Sequence, residues 1–325
     1  MNHPTRFLSV LAALTAIALP FALERHWMDL LVLAGIHAIA GLGVSLLLGQ
    51  CGILNLAQSL FFGIGAFTTA ILSTHFGWPM GLDIPVGMAL AGGLALLIGW
   101  PILRLNGFFL ALATLAIGLI GTALMLELDD WTGGELGISG IPKLHLGTWA
   151  FDTPTRFYGL VWCVALGVLW LAANLVRGRM GLAMRAMRDA PAAAEGLAVQ
   201  MHGIKVFMFV LSAGLGALAG SLYAYYLSFI NHASFGVERS IMFLLIPVIA
   251  GAHSVWGVVL GALFLTFVPE LLSAFGDIHR VLFGLSLVGV VCFLPNGLTG
   301  LASRAHFAAL RRQPDLPAAE PKEAA

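Results

Sequence analysis

Residues 206–227 read VFMFVLSAGLGALAGSLYAYYL, with no charged side chain in the run. At ~1.5 Å per residue, a helix of this length crosses a ~30 Å hydrocarbon core. No water is available there to satisfy backbone groups, so the run must be helical. The same reading extends along the chain. Apolar runs bounded by charges or by Gly/Pro clusters lie at 7–23, 30–48, 60–73, 84–103, 107–126, 157–176, 206–227, 240–252, 255–270 and 280–295. The expectation is an all-α polytopic membrane protein with about ten transmembrane helices. The runs 60–73, 240–252 and 255–270 are short for a full crossing. They either extend into their flanking loops or are half-helices.

Composition agrees. The chain has 325 residues, 59% apolar and 10% charged, with a mean hydropathy of +0.95. A soluble domain carries ~25% charged residues, so a water-soluble fold is excluded. Disorder is excluded by the same hydrophobicity, and collagen by the absence of a three-residue glycine period. The net charge is zero, which gives no argument for a nucleic-acid partner. Cys51, Cys163 and Cys292 lie far apart in or beside apolar runs, which reads as buried free thiols rather than a metal or disulfide framework. None of the three lysines, Lys143, Lys205 and Lys322, follows a Gly-x-x-x-x-Gly pattern, so there is no Walker phosphate loop.

Arg6 followed by the apolar run 7–23 resembles a secretory leader, but the run is long for a leader core, and a first transmembrane helix is the preferred reading. Orientation follows from Lys and Arg. With both termini inside, the inner loops hold eleven of the 16 bases: Arg6, Arg104, Arg177, Arg179, Arg185, Arg188, Lys205, Arg304, Arg311, Arg312 and Lys322. The outer loops hold Arg25, Lys143, Arg156, Arg239 and Arg280. Loop 177–205 is mainly basic and loop 127–156 mainly acidic. Ten spans with a long outer loop in the middle divide as five plus five, which places the halves in inverted orientations. Residues 1–310 read as one transmembrane domain, and 311–325 as a disordered cytoplasmic tail.

Three segments stand out. The stretch from Gly49 to Phe67 places Gln50, Asn55 and Gln58 in an apolar region. Buried amides need partners, so this is either an interrupted helix lining a solute path or a polar inner loop before a tightly packed helix. Residues 228–236, with Asn231, occupy the corresponding place in the second half. Matching interruptions in two halves point to a transport site; the other reading is an ordinary outer loop. The third segment is the inner loop. Met180, Met184 and Met187 share one face of a helix there, Arg185 and Arg188 project elsewhere, and Asp189 and Pro191 start a second short helix over 192–197. Such a pair either rests on lipid headgroups or docks into a cytoplasmic partner with methionines as contacts.

No Asp, Glu, Lys or Arg lies near the middle of any run, and Arg104 and Glu270 fall at ends. His37 is the only titratable group near a centre, and reads as a hydrogen-bonded packing residue. Ion-coupled carriers need ionisable groups at depth, and no catalytic constellation is visible, so an enzyme is disfavoured.

At these segments the chain resembles the LivM-type permease subunits of branched-chain amino-acid ATP-binding-cassette importers. The likeness covers about residues 30–300. It is carried by Gly49 to Phe67, by Gly107-Phe108-Phe109-Leu110-Ala111-Leu112-Ala113-Thr114-Leu115-Ala116, by Thr132 to Pro142, by Gly178 to Asp189, and by Leu211 to Tyr223. Two departures occur: Leu56-Ala57-Gln58 stands where the family typically has Leu-Gly-His, and Gly251-Ala252-His253-Ser254-Val255-Trp256-Gly257 stands where it has a run of small residues.

The resemblance implies a multi-pass protein of the bacterial plasma (inner) membrane that binds no cofactor, with ATP bound on a partner. Its partners are a second permease subunit, two cytoplasmic ATPase subunits, an outer solute-binding protein and membrane lipid. Loop 177–205 then carries coupling helices, with Arg185, Arg188, Asp189 and Glu195 as ATPase contacts. Gln50, Asn55, Gln58, Thr114 and Asn231 are the solute-path candidates. Related permeases carry urea or short amides, and a self-sufficient carrier or channel is the alternative from another class.

Overall fold

A computed structural model describes residues 24–300, apart from 147–148, 274 and 294–296. The expected first span at 7–23 and the tail 311–325 lie outside the described residues. Each of the other nine apolar runs coincides with a helix. These are α1 (Arg25–Ser45, continued by a π-helical turn Leu46–Cys51), α2 (Gln58–Thr74), α3 (Asp83–Ile102), α4 (Gly107–Glu127) and α5 (Pro154–Arg177), followed after loop 177–205 by α8 (Met201–Leu227), α9 (Val237–Ala250), α10 (Gly257–Ser273) and α11 (His279–Phe293). Residues 177–205 themselves form α6 (Arg179–Asp189) and α7 (Pro191–Gly196). Among the described residues six helical stretches are long and apolar enough to cross a membrane: Arg25–Cys51, α3, α4, α5, α8 and His232–Ala250. The helices α2, α10 and the apolar part of α11 are shorter.

Burial sorts these helices into a centre and a surround. In Arg25–Cys51, 94% of the apolar stretch is buried, and in α8 72%, against 28%, 28% and 33% in α3, α4 and α5. The centre is therefore α1 and α8, which pack directly on each other, with α2 packed chiefly on α8. Small residues make this possible. A Cβ added to Gly65 of α2 would lie 2.0 Å from the Ala217 carbonyl oxygen of α8, so only glycine allows that approach. Ser221 donates to the Gly65 carbonyl at 3.2 Å across the same contact.

The surround is apolar on its outside. Leu97, Phe108, Phe109, Trp170 and Leu171 are exposed on α3, α4 and α5. A surface of this kind suits lipid or another membrane subunit rather than water. Cys163 and Cys292 lie on it too, so only Cys51 among the three thiols is buried as expected.

The turns gather at two ends. One end collects Arg104, Asn106, Arg188 and Lys205 around a cleft of about 940 Å³. The opposite end carries Arg25, Lys143 and Asp152. There β1 (Ile138–Ser139) pairs antiparallel with β4 (Phe229–Ile230), and β2 (His145–Leu146) with β3 (Trp149–Ala150). Residues 138–141 thus clasp the chain that leaves α8. Glu270, at the end of α10, is paired with His26 at 3.0 Å.

Candidate functional site

The first break lies between α1 and α2. After the π turn the chain reverses at Gly52, whose φ of +68° favours glycine. Residues 53–57 then run back into the bundle without regular structure. As a result α2 starts level with the middle of α1 and α8. Gln58 is fully buried. Its Nε2 donates to the Ala40 carbonyl at 3.2 Å and the Ser212 carbonyl at 3.1 Å. Its Oε1 accepts from Ser212 Oγ at 3.0 Å and Asn55 Nδ2 at 3.3 Å. Asn55 Oδ1 accepts from the Ala57 amide at 2.9 Å. Thr114 Oγ1 accepts from the Leu56 amide at 3.1 Å and donates to the Ala111 carbonyl. Side chains thus satisfy backbone that has left the helix inside an apolar bundle, as burial away from water demands.

Of the five path candidates, Asn55, Gln58 and Thr114 meet at this break. Gln50 sits nearer the arginine-rich end, where its Nε2 donates to the His253 carbonyl at 3.3 Å. Asn231 lies apart from all four.

The second break precedes α9. Asn231 Oδ1 accepts from the Ser234 amide at 3.2 Å and its hydroxyl at 2.9 Å. This caps a 3-10 turn, His232–Phe235. The turn dips inward, and Phe235 is fully buried against Phe62, Phe67 and Tyr223. The segment is therefore not an ordinary outer loop. The first turn of α9 reaches the first turn of α2, where Ser240 Oγ accepts from the Ser59 amide at 2.9 Å and donates to Ser59 Oγ at 2.6 Å.

Arg239 adds a detail to the charge map. Counted among loop bases in the sequence, it lies in the first turn of α9 and points inward. Its Nε donates to the Ser234 carbonyl at 3.3 Å, and its Nη1 lies 3.4 Å from His37 Nε2. The guanidinium also lies 5.7 Å from the Tyr223 ring centre. Thr266 donates to the Ala262 carbonyl at 2.8 Å, leaving its oxygen to accept from His37 Nδ1 at 3.0 Å. His37 Nε2 is then the acceptor for Arg239. His37 is hydrogen-bonded, as expected, but its cationic neighbour was missed. The signal was the shortness of run 240–252, which left room for the preceding residues to enter the bundle.

Helices α6 and α7 also depart from expectation. Met184 and Met187 are buried against the bundle, so the methionine face is not free for a partner or for lipid. Arg185 Nη1 donates to the Val176 carbonyl at 3.3 Å. Arg188 Nη1 donates to the Gly49 carbonyl, and its Nε lies 3.7 Å from Asp189. Both arginines therefore bind carbonyls at helix C-terminal ends, where unsatisfied acceptors and the helix dipole favour cations. What faces outward is Leu182, Asp189, Glu195 and Leu197. The departure at 251–257 also has a structural place, since the Ala252 carbonyl lies so close to Gly49 that a Cβ there would be 1.8 Å away.

Residues 27–291 match the model of a family described as branched-chain amino acid transport system / permease component. The chain belongs to this permease family. It is 33% identical over 308 residues to the high-affinity branched-chain amino acid transport system permease protein LivM of Escherichia coli (strain K12), covering 87% of this chain and 72% of that protein. It is 24% identical over 289 residues to the permease protein LivH of the corresponding Salmonella typhimurium system, covering 82% and 92%. It is 25% identical over 278 residues to the autoinducer 2 import system permease protein LsrC of Escherichia coli O157:H7, covering 81% and 78%. No solved structure matches. Permeases of this family work within a larger transport system, and both breaks described above fall inside the matched residues.

Proposed function

We propose that the chain is the membrane-spanning subunit of an ATP-binding-cassette importer, moving branched-chain or similar amino acids across the bacterial inner membrane by alternating access. The observation that carries this reading is the meeting of two broken helices, α2 and α9, at Ser59 and Ser240 inside the bundle. Interrupted helices that begin at mid-depth are where transporters place their solutes. The breaks open from opposite ends, which supports an inverted five-plus-five arrangement of about ten spans.

The arginine-rich end faces the cytoplasm by the positive-inside rule, which places both termini inside. Residues 177–205 form the coupling loop and 127–156 the outer loop. The chain hydrolyses nothing itself. A second permease subunit, two ATPase subunits carrying the ATP and an outer binding protein complete the system. Leu182, Asp189, Glu195 and Leu197 are presented to the ATPase. Arg185 and Arg188 hold the loop to α5 and α1, so that a push on α6 reaches Gly49 and the first break. Gln50, Asn55, Gln58 and Thr114 form the inner part of the path, and Asn231 shapes the outer part.

Reconstitution tests this. Liposomes containing the assembled importer should take up leucine only with ATP and the ATPase subunits present. Uptake by this chain alone would overturn the proposal.

A further inference from the structure

Arg239 is half-buried at a cleft beside the bundle, and a partly desolvated cation is costly unless an anion or a set of dipoles compensates it. Arg239 has only neutral partners: the Ser234 carbonyl, His37 Nε2 and the Tyr223 ring. The ion pairs among the described residues are His26–Glu270, His145–Asp152 and Arg188–Asp189, and none includes Arg239. Its Nη2 has no hydrogen-bond partner among the described residues.

Arg239 lines a cleft of about 600 Å³ between α4 and α9, together with Leu119, Thr122, Ser234, Glu238 and Met242. The Glu238 carboxylate lines the same cleft without approaching Arg239 to ion-pair distance, and is exposed. Two opposite charges, held apart, share a cleft with hydroxyls and an apolar wall. The first turn of α9 adds its helix N-terminus beside Arg239.

We infer that this cleft is a binding site for a free zwitterionic amino acid with an apolar side chain. The solute carboxylate lies on Arg239, its ammonium on Glu238, and its side chain along Leu119 and Met242. Asn231 is a positioning residue, because it fixes Ser234, whose carbonyl holds Arg239 Nε. The assignment rests on the amino-acid permease reading and adds a recognition step on this chain, separate from any binding protein.

The test is direct binding of radiolabelled leucine to the assembled importer in nanodiscs with the binding protein omitted. Competitors are leucinamide, which lacks the carboxylate, and 4-methylpentanoate, which lacks the ammonium. The wild type should prefer leucine over each by at least about tenfold. Arg239→Gln should erase the preference over leucinamide, and Glu238→Gln the preference over 4-methylpentanoate alone. An unchanged preference in either variant overturns the site, as does a wild type that takes up leucine but binds none. If Arg239→Gln fails to assemble, the exposed Glu238→Gln variant decides. Uptake by the wild type is measured in parallel. Loss of all amino-acid uptake there defeats the permease reading itself, whereas intact uptake with unaltered preferences defeats only the cleft.

Discussion

Ser59 and Ser240 are joined hydroxyl to hydroxyl at 2.6 Å, and the Ser240 oxygen also receives the Ser59 amide at 2.9 Å. Both residues are fully buried. The two serines are not equivalent. Ser240→Ala strands a buried amide and should cost about 1–3 kcal/mol, whereas Ser59→Ala keeps that amide only if Ser240 remains, and should cost about 0.5–1.5 kcal/mol. Thermal unfolding of the two variants checks this, with the lower midpoint expected for Ser240→Ala.

Gln58 and Ser212 should be strongly coupled. Gln58→Met leaves the Ser212 hydroxyl and the Asn55 amide without their partner. Ser212→Ala removes one of the same bonds. A double-mutant cycle on stability should give an interaction energy of about 0.5–3 kcal/mol. Additive losses would show that the amide is not the centre of the network.

Gly65 and Gly93 make a matched pair. A Cβ at Gly65 meets the Ala217 backbone at 2.0 Å, whereas one at Gly93 meets nothing within 4 Å. Gly65→Ala should cost about 1–3 kcal/mol by forcing α2 from α8. Gly93→Ala should gain up to about 1 kcal/mol through helix propensity. Denaturation of the purified protein distinguishes the two.

In the coupling role proposed above, loop 177–205 divides its residues between anchoring and docking. Arg188→Ala should lower transport while the ATPase still co-purifies, because its partner is the Gly49 carbonyl of the same chain. Leu182→Asp with Leu197→Asp should lose the ATPase instead, because both leucines face outward, at 62% and 78% exposure. The reverse pattern would return the arginines to the interface.

Much of the fold was legible from the spacing of charges around apolar runs, since hydrocarbon leaves a helix few alternatives. Nine runs became nine helices. The first break was legible in outline, because Asn55 and Gln58 have no place in lipid without partners. Which partners they find depends on α1 and α8, far away in sequence, and no local pattern encodes that. The partners of Arg239 were hidden for the same reason. Its position at the start of a short run is ambiguous until the 3-10 turn carries it inward. The methionine face of α6 had the right periodicity, but periodicity does not say what a face packs against, and here it is the chain's own bundle.

Both N–H groups and both lone pairs of Gln58 are matched within the protein. Such an amide acts as a threshold. Any partial displacement of α2 leaves at least one group unmatched in an apolar interior, at a cost of about 1–3 kcal/mol. Halfway positions are therefore sparsely occupied, and the break either holds or changes all its partners together. On the proposed path, transport should therefore run in discrete, all-or-none strokes.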